Sequence, residues 1–364
     1  MGTRLNKMFY INKLRKTIQY HFKWNKARIK FLTNFITSLI ICSTVKLSRI
    51  ALFINNEVKY ESNYRGIQRF FQTFKMNYEE YARFVISHLP GNIQFYLVMD
   101  RTNWKFGKTN INILMLGIIY KKMCFPLYWM LLDKGGSSSQ RERKELLQKA
   151  IDLLGKERIA ALLGDREFIG VRWFQYLIEH GIEFHIRLPK LIKVGSVLRE
   201  NRKPITHIFR FWKENVKVDY RKALDICGFK LYLSAMKSKK DYCIVVSSKD
   251  NINSLDKYQL RWTIENMFGA FKSRGFNFED THMINLEKIK KLIVLVSIIY
   301  TWCVFLGIWC DQSIPIKLMK LGRKRKSIFK YGFEYLTSFI KKLLEGKIYN
   351  DLEFNEVTKI LSCT

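Results

Sequence analysis

The sequence is poor in acidic residues: 31 Asp and Glu stand against 64 Lys and Arg in 364 residues, a formal net charge of +33. The positive charge extends from the N-terminus into the last quarter of the chain, so we expect a polyanionic partner. The chain is not short of core residues, with 48% hydrophobic and 15% aromatic residues, which excludes a disordered basic arm. At about 150 residues per domain, two or three domains are expected.

The cysteines lack the spacing of a redox or metal-binding pair. There are seven of them, an odd number, and no two are arranged as C-x-x-C, which favours reduced, buried thiols in a cytosolic protein. The six histidines show no zinc spacing near those cysteines. The sequence therefore leaves carboxylates as the credible metal ligands, and with them a hard cation such as magnesium or manganese.

Long uncharged runs are scarce. Leu292 to Cys310, of about 19 residues, is long enough to span a bilayer, and Phe31 to Cys42 is shorter. Lysines precede the long run and Asp311 follows it, so we interpret it as a helix buried in a large α/β core. The shorter run is interpreted as a packed helix, since it begins too late for a signal peptide. A membrane-anchored basic protein is the least favoured alternative.

Residues 1–90 are basic, and their apolar residues recur at helical spacing. Helices are predicted at Lys46–Ile54 and at Ser62–Phe74, the second capped by its serine and carrying Arg65 and Arg69 on one face. A helix-turn-helix that contacts DNA through these arginines and a plain helical packing unit are both compatible with the pattern.

From Asn92 onward, the pattern predicts a mixed sheet with helices on its faces. The predicted elements are strands Gln94–Met99, Asn112–Tyr120 and Met123–Leu132, helix Gln140–Leu154, strand Ile159–Leu163, helix Val171–His180 and strand Glu183–Leu188. Between residues 190 and 250, β-rich runs separated by basic turns predict an inserted all-β element, with strands at Val194, Ile208–Trp212, Val216–Tyr220, Phe229–Ala235 and Tyr242–Ser247.

A polar stripe follows this insertion. At about 100° per residue, Tyr258, Arg261, Glu265 and Lys272 fall within about 60° of one another on one helix face. The apolar residues between them cluster on the opposite side, which predicts a single amphipathic helix that Asp256 or Ser254 caps and Gly275 ends. One acid among an aromatic ring and two cations is typical of a metal-bound phosphate site, whereas a solvated face would mix lysines with several acids.

Two more acids join that glutamate in a predicted constellation. Asp100 and Asp165 each follow an apolar strand, and residues at the carboxyl ends of neighbouring strands converge on one sheet edge. Glu265 joins them if its helix packs across that edge. Three such carboxylates repel one another unless cations lie between them, and two divalent ions about 4 Å apart are the usual arrangement for phosphoryl transfer. The alternative for each aspartate alone is a strand-end residue that caps the next turn.

The spacing Tyr258-x2-Arg261-x3-Glu265-x6-Lys272 resembles the YREK signature of the DDE transposases of the insertion-sequence-four family. The segments Val-Met-Asp100-Arg-Thr-Asn-Trp and Leu-Gly-Asp165-Arg-Glu-Phe add to the resemblance, which covers about residues 45–345. It implies a ribonuclease-H-like fold with a β insertion before the last acid. The implied enzyme cuts its element from donor DNA and joins it to a target.

Residue by residue, the resemblance implies that Asp100, Asp165 and Glu265 bind two magnesium or manganese ions. Tyr258, Arg261 and Lys272 would hold phosphates at the element's end. Some members of the family form a DNA hairpin in which a flipped base stacks on a tryptophan of the insertion. Trp212 is the only tryptophan in the predicted insertion, and core packing is the alternative role for it.

The expected architecture is a helical DNA-binding domain (1–90), a catalytic ribonuclease-H-like core in two parts (91–189 and 251–311), the β-rich insertion (190–250) and a basic C-terminal helical region (312–364). The expected function is cut-and-paste transposition by a cytoplasmic, nucleoid-associated bacterial enzyme. Its partners would be double-stranded DNA, comprising terminal inverted repeats and target, and a second copy of the chain on that DNA, without a membrane. A non-catalytic DNA-binding protein of the same fold is the alternative from another functional class.

Overall fold

The structure, a computed structural model, describes residues 2–54, 57–196, 199–239, 241–250, 253–347 and 351–363. The chain divides into two compact units. The helical unit comprises Met1–Pro90, Trp104–Ile111 and Met267–Thr364, and the sheet unit comprises Gly91–Asn103 and Asn112–Asn266. Each unit therefore contains more than one stretch of the sequence.

The helices and strands alternate in a mixed α/β order. The helices are α1 Gly2–His21, α2 Lys26–Cys42, α3 Leu47–Ala51, α4 Tyr60–Thr73, α5 Tyr78–Ser87, α6 Gln140–Leu154, α7 Val171–Glu179, α8 Thr206–Phe209, α9 Ser254–Gln259, α10 Trp262–Phe271, α11 Leu286–Ser313, α12 Ile328–Glu345 and α13 Asp351–Ser362. The strands are β1 Phe95–Phe106, β2 Thr109–Tyr120, β3 Met123–Leu132, β4 Ile159–Gly164, β5 Phe184–Leu188, β6 Lys193–Ser196, β7 Arg199–Pro204, β8 Lys217–Ile226, β9 Phe229–Lys237 and β10 Tyr242–Ser247. Short 3₁₀ turns occupy Lys156–Arg158, Arg166–Phe168 and Phe278–Thr281.

Within the described residues, the strands form one ten-stranded sheet in the order β3-β2-β1-β4-β5-β10-β9-β8-β6-β7. Strands β1, β4 and β5 are parallel neighbours, as the predicted alternation of strands and helices requires. Strands β2 and β3 form the predicted antiparallel hairpin. Lys121 and Lys122, the two residues between them, both have positive φ, which suits the right-handed twist of a tight hairpin.

Helix α6 shows how closely local sequence controls an element of the sheet unit. Its bounds are those predicted, because Ser139 and Glu142 form a reciprocal capping box at its start. Gly155 follows its last residue with φ of 79°, a conformation that residues with a Cβ rarely adopt. The buried face of α6 contains Leu146, Leu147 and Ala150.

The β-rich run after residue 190 extends the core sheet rather than forming a separate layer. Its last strand, β10, pairs antiparallel with β5, with Ile244 opposite Leu188. The predicted strand Ile208–Trp212 is wrong, because residues 206–209 form the short helix α8. Ile205 and Phe209 are both buried and stand four residues apart, so one helical turn places them on the same side.

Helix α11 forms the centre of the helical unit. The predicted apolar helix is present, and 83% of its most apolar window is buried inside the protein. It is also, among the described residues, the one helix long and apolar enough to cross a membrane by length and composition. Gly307 of α11 and Gly332 of α12 allow the two backbones to approach closely, since a Cβ on Gly332 would overlap the carbonyl oxygen of Cys303.

The N-terminal helices differ in detail from those predicted. Helix α4 begins at Tyr60 after an N-cap at Lys59, so the predicted cap at Ser62 is wrong. The amide of Ser62 already donates to Lys59 O at 3.0 Å within the first turn. Arg65 and Arg69 are both exposed on α4 and stand one turn apart, so they share one face of that helix.

Candidate active site

The first two predicted acids stand side by side on neighbouring parallel strands. The last paired residues of β1 and β4 are Met99 and Gly164, so Asp100 is the next residue of β1 and Asp165 is the residue that follows β4. The prediction that the first strand ends at Asp100 is wrong, since β1 continues to Phe106. The two acids nevertheless lie at the same level of the sheet, because the pairing between the two strands stops just before both of them.

The predicted single helix over Tyr258 and Lys272 is wrong, because it is broken into α9 and α10 around Arg261. Helix α9 is held by Leu255 and Tyr258, which are buried against Val245 of β10. Arg261 is 4% exposed rather than part of a solvated stripe. The arginine of the predicted polar stripe is therefore buried, at a break between two helices.

Arg261 connects the predicted acids. Its Nη1 donates to Asp100 Oδ2 at 2.9 Å, and its Nη2 donates to Glu265 Oε1 at 2.6 Å. Its Nε donates to the hydroxyl oxygen of Tyr258 at 3.1 Å, and that hydroxyl donates to Asp165 Oδ1 at 3.5 Å. The planar guanidinium suits this task, because its five N–H groups leave in fixed directions. All three acids are thus joined, directly or through one hydroxyl, to a single buried cation.

The burial of these groups determines their charge. Burial raises the pKa of Asp100 to about 6, against the N–H of Arg101 and the Arg261 guanidinium, which lower it. Burial raises the pKa of Tyr258 to about 12. Burial alone would lower the pKa of Arg261, but Tyr258, Asp100, Glu265 and Asp165 raise it overall. Arg261 is consequently a permanent cation in the middle of the acids.

A second polar network, which the sequence reading missed, ties together the residues that follow the two aspartates. Arg101 Nε donates to Glu167 Oε2 at 2.9 Å, and Arg101 Nη1 donates to the side-chain oxygen of Asn112 at 3.0 Å. Glu167 Oε1 also accepts from the amide and the hydroxyl of Ser138, at 3.1 and 3.0 Å. The sequence contained a signal for it, since Arg101 follows Asp100 directly and Glu167, of opposite charge to Arg101, stands two positions after Asp165.

This network rests on a further buried cation. Arg143 of α6 is 4% exposed, and its guanidinium donates to the hydroxyl and the carbonyl oxygen of Ser138. It also lies over the ring of Phe168, 5.0 Å from the centroid. Burial lowers the pKa of Arg143, but an arginine keeps its charge at any physiological pH. The turn after β4 is therefore held by Arg101 through Glu167 and by Arg143 through Phe168.

Carboxylate oxygens are the ligands that hard divalent cations prefer, so the donor set of Asp100, Asp165 and Glu265 fits magnesium or manganese. Among the described residues, the oxygens of these three acids do not all lie within 4.8 Å of one another. The Arg261 guanidinium lies between Asp100 and Glu265 and keeps both directed toward one centre. The residues present thus fit such a cation by their chemistry, provided that the guanidinium gives up part of its bonds to the carboxylates.

The other predicted DNA-contacting residues are Lys272, Trp212, Arg65 and Arg69, of which Trp212 belongs to the sheet unit. Lys272 belongs to the helical unit, where its Nζ lies 2.7 Å from Glu279 Oε1 and 5.8 Å from the centroid of Trp104. Trp212 is half-buried, and its ring packs edge-on against Phe209 at 4.5 Å. Arg65 and Arg69 are exposed on α4 of the helical unit. Their roles at DNA stay predictions.

The fold and this site define a mixed α/β protein in which three acids converge on one buried arginine at the end of a parallel strand pair. Residues 96–302 match the family model of the transposase DDE domain. This match covers more than half of the chain, and the chain belongs to that family, whose members are transposases. All of the acids, together with Tyr258, Arg261 and Lys272, lie within the matched segment.

Among solved structures, the chain is similar to a piggyBac transposase, seen by cryo-EM in a synaptic complex with hairpin DNA. The sequence identity is 14% and the TM-score 0.40, with 99% of this chain and 85% of that chain covered. No curated protein matches the sequence.

Proposed function

We propose that this chain is a DNA transposase that cuts and joins the ends of its own element through a metal-dependent site formed by Asp100, Asp165 and Glu265. The proposal specifies more than membership of the transposase family. It specifies cut-and-paste transposition, a ribonuclease-H-like core, two magnesium or manganese ions, and the YREK pattern of the insertion-sequence-four family.

The observation that carries the proposal is the convergence of three acids from distant parts of the chain on Arg261. Asp100 and Glu265 are 165 positions apart, yet the same guanidinium binds both. A structural ion pair needs only one acid for one arginine. Three carboxylates around one arginine, with Asp100 and Asp165 half-buried and Glu265 exposed, are a surplus of acid that is characteristic of a cation-binding catalytic site.

In this proposal neighbouring residues orient the three carboxylates before a metal ion binds. Arg261 offsets the repulsion among the carboxylates and directs Asp100 Oδ2 and Glu265 Oε1 toward the same centre. The Tyr258 hydroxyl orients Asp165. The network of Arg101 and Glu167 fixes the backbone directly after each aspartate, so neither acid can turn freely away.

Asp100, Asp165 and Glu265 would hold the divalent cations. When bound, these ions would activate a water or a sugar 3′-hydroxyl as nucleophile and stabilise the leaving oxygen at phosphorus. With the acids neutralised, the N–H groups of Arg261 and the hydroxyl of Tyr258 would be free to donate to the DNA phosphates, as the family resemblance implies.

The partner in this proposal is double-stranded DNA. The net charge of +33 supports it, as do the exposed Arg65 and Arg69 on one face of α4. We include two copies of the chain on paired element ends in the proposal, since cutting and joining both ends requires them to be brought together.

The decisive experiment is an excision assay on a plasmid that carries the reading frame with its own flanking DNA. We expect magnesium- or manganese-dependent strand cleavage at the element's boundaries by the unaltered chain. Asp100→Asn and Glu265→Gln should each reduce the cleavage rate by at least about 100-fold. Loss of a residue that only hydrogen-bonds to a metal ligand typically costs about 10- to 100-fold, and loss of the ligand itself should cost more.

Asp133→Asn is the matched control, since Asp133 is an exposed acid directly after the neighbouring strand β3. It should cleave like the unaltered chain. If Asp100→Asn and Glu265→Gln keep the same biological effect in cells as the control variant, the acids are not needed. The chain would then act as a non-catalytic DNA-binding protein.

Binding to duplex DNA should fall steeply with salt. The logarithm of the binding constant is expected to decrease with the logarithm of the salt concentration by about 0.9 for each phosphate neutralised. Fluorescence anisotropy of a labelled duplex at several salt concentrations measures this slope. A binding constant that stays flat between low and physiological salt would refute DNA as the polyanionic partner.

A further inference from the structure

A cluster of nitrogen and sulfur side chains lies in the helical unit, in a different part of the chain from the acids. His21, His88 and Cys363 each offer one ligating atom, and these atoms all lie within 4.8 Å of one another. The three residues are far apart in sequence, and no spacing between them resembles a zinc motif. We name them the thiol–imidazole cluster, and we propose that it is a binding site for a zinc ion or another soft divalent cation.

The hydrogen bonds of His88 support a ligand role. Its Nδ1 lies 2.8 Å from the carbonyl oxygen of Phe84, and because a carbonyl oxygen can only accept, Nδ1 carries the proton. The other ring nitrogen, Nε2, therefore has a lone pair and is buried; it makes no hydrogen bond of good geometry, although the backbone of Leu361 lies near the ring. A histidine that ligates a metal typically donates its second N–H to a backbone carbonyl in this way.

His21 and Cys363 complete the donor set. His21 Nε2 lies 3.2 Å from the carbonyl oxygen of Leu361, which again leaves the other ring nitrogen with its lone pair. The hydroxyl of Ser87 donates toward Cys363 Sγ at 3.6 Å. Burial raises the pKa of this thiol and the Ser87 contact lowers it less, so the thiol stays protonated until a cation binds its sulfur. Imidazole nitrogen and thiolate sulfur are both donors that zinc takes, and three protein ligands leave a fourth position open.

The backbone favours a cation at the same place. His21 is the last residue of α1, His88 is the C-cap of α5, and Cys363 follows the last residue of α13. The C-terminal end of a helix carries partial negative charge, so three such ends meet around the cluster. An ion at the centre would draw the three ligand atoms about 1 Å closer together, since zinc binds nitrogen and sulfur at about 2.0–2.3 Å.

Apolar side chains surround the cluster and hold the rings. Phe84 meets the His21 ring edge-on at 4.9 Å and the His88 ring at 4.7 Å, and Phe305 lies 5.1 Å from His88. Trp302 Nε1 donates to the same Leu361 oxygen at 3.1 Å. These apolar side chains keep water from solvating the imidazole nitrogen and the thiol. A bound cation would coordinate both atoms, and the thiol proton would pass to solvent.

The test uses the full chain, expressed without a polyhistidine tag, stripped with a chelator and titrated with Co²⁺. We expect about one bound cobalt per chain with the near-ultraviolet absorption of a thiolate-to-cobalt bond, and loss of that absorption when zinc is added. The thiolate absorption distinguishes the cluster from the carboxylate site, and repeating the titration with Asp100→Asn should leave it unchanged.

Cys363→Ser should abolish the thiolate absorption, and His88→Gln should weaken cobalt binding at least tenfold. Cys42→Ser is the matched control, because Cys42 is another partly buried free thiol of the helical unit, outside the cluster. It should behave like the unaltered chain. If Cys363→Ser does not fold by circular dichroism, X-ray absorption of the zinc-loaded unaltered chain decides, with two nitrogens and one sulfur expected around the ion.

The proposal is overturned if the unaltered chain gives no thiolate absorption with cobalt, or if Cys363→Ser and Cys42→Ser give the same spectrum. It is also overturned if the zinc environment in the unaltered chain contains only oxygen and nitrogen. None of these outcomes depends on DNA cleavage, so the proposed transposase activity can fail or hold independently.

Discussion

The acid site of the sheet unit and the thiol–imidazole cluster of the helical unit both gather polar side chains from distant parts of the chain, but they balance them in opposite ways. The acids surround a cation that the chain supplies itself, Arg261, which forms ion pairs with Asp100 and Glu265. The cluster has no such internal partner for His88 Nε2. The acids are therefore held in place by an opposite charge within the protein. The residues of the thiol–imidazole cluster are held in place by the packing of the helices that carry them.

The two sites also differ in how far their residues can be recognised in advance. The acids follow apolar strands or lie in a four-residue pattern, so neighbouring elements identify them. His21, His88 and Cys363 stand at the ends of three helices that only tertiary packing brings together. The expectation of carboxylate ligands stays a prediction, and the fold adds a second group of residues for which we propose a metal role.

Replacing the internal cation gives the largest expected effect on the acid site. Arg261→Lys keeps a positive charge but loses the fork that binds Asp100, Glu265 and Tyr258 together. We expect strand cleavage to fall by about 100-fold and the free energy of unfolding by about 2 kcal/mol, since partners of a buried ion pair are left unsatisfied. Urea denaturation and the excision assay measure the two effects.

Lys257→Arg offers a comparison in the same segment, because Lys257 pairs with Glu183 at 3.7 Å, away from the three acids. That variant should change neither quantity appreciably. Unchanged cleavage by Arg261→Lys would mean that a point charge suffices and that the fork geometry has no role in the site.

The helical unit is expected to respond most to a change in packing. Gly332→Ala adds a methyl group where the backbones of α11 and α12 meet, and the added atom would overlap Cys303 O. We expect the free energy of unfolding to fall by about 2 kcal/mol because the two helices must separate slightly. Thermal unfolding followed by circular dichroism measures it.

Gly66→Ala is the control, since the same methyl group on α4 would meet nothing within 4 Å. It should stabilise the chain by about 0.5 kcal/mol, as alanine loses less backbone entropy than glycine in a helix. If both variants destabilised the chain equally, close contact between α11 and α12 would not be the cause.

The smallest expected effect concerns the network behind the two aspartates. Glu167→Gln keeps the size of the side chain but removes its charge next to Arg101, while one oxygen can still accept from Ser138. We expect about a tenfold loss of cleavage rate, because outer partners of metal ligands usually contribute that much. The metal concentration that gives half-maximal cleavage should rise in parallel.

Glu145→Gln provides the matched control, since Glu145 pairs with Lys149 on an exposed face of α6. It should leave cleavage unchanged because exposed pairs contribute little. A normal rate with Glu167→Gln would mean that this network does not support catalysis and that Arg261 and Tyr258 suffice to orient the acids.

Much of the sheet unit could be predicted from local sequence. Helix α6 has the predicted bounds because its capping box and the following glycine act within a few residues. Strand β10 has them as well, since an apolar run bounded by polar turns is a local signal. The break between α9 and α10 could not be predicted, because the apolar spacing continues across it and only the bonds of Arg261 to Tyr258 and Asp100 account for the departure.

The sequence by itself determined the basic character of the protein, the order of most strands and helices, and the three acids with their pattern of Tyr258, Arg261 and Lys272. These follow from composition and from periodicities that span a few residues. Tertiary structure alone decided that Arg261 is buried among the acids, that Glu167 braces the turn after Asp165, and that His88 meets Cys363. Such contacts join residues too far apart for any local pattern to encode, and they form only when burial of the surrounding apolar surface brings the segments together.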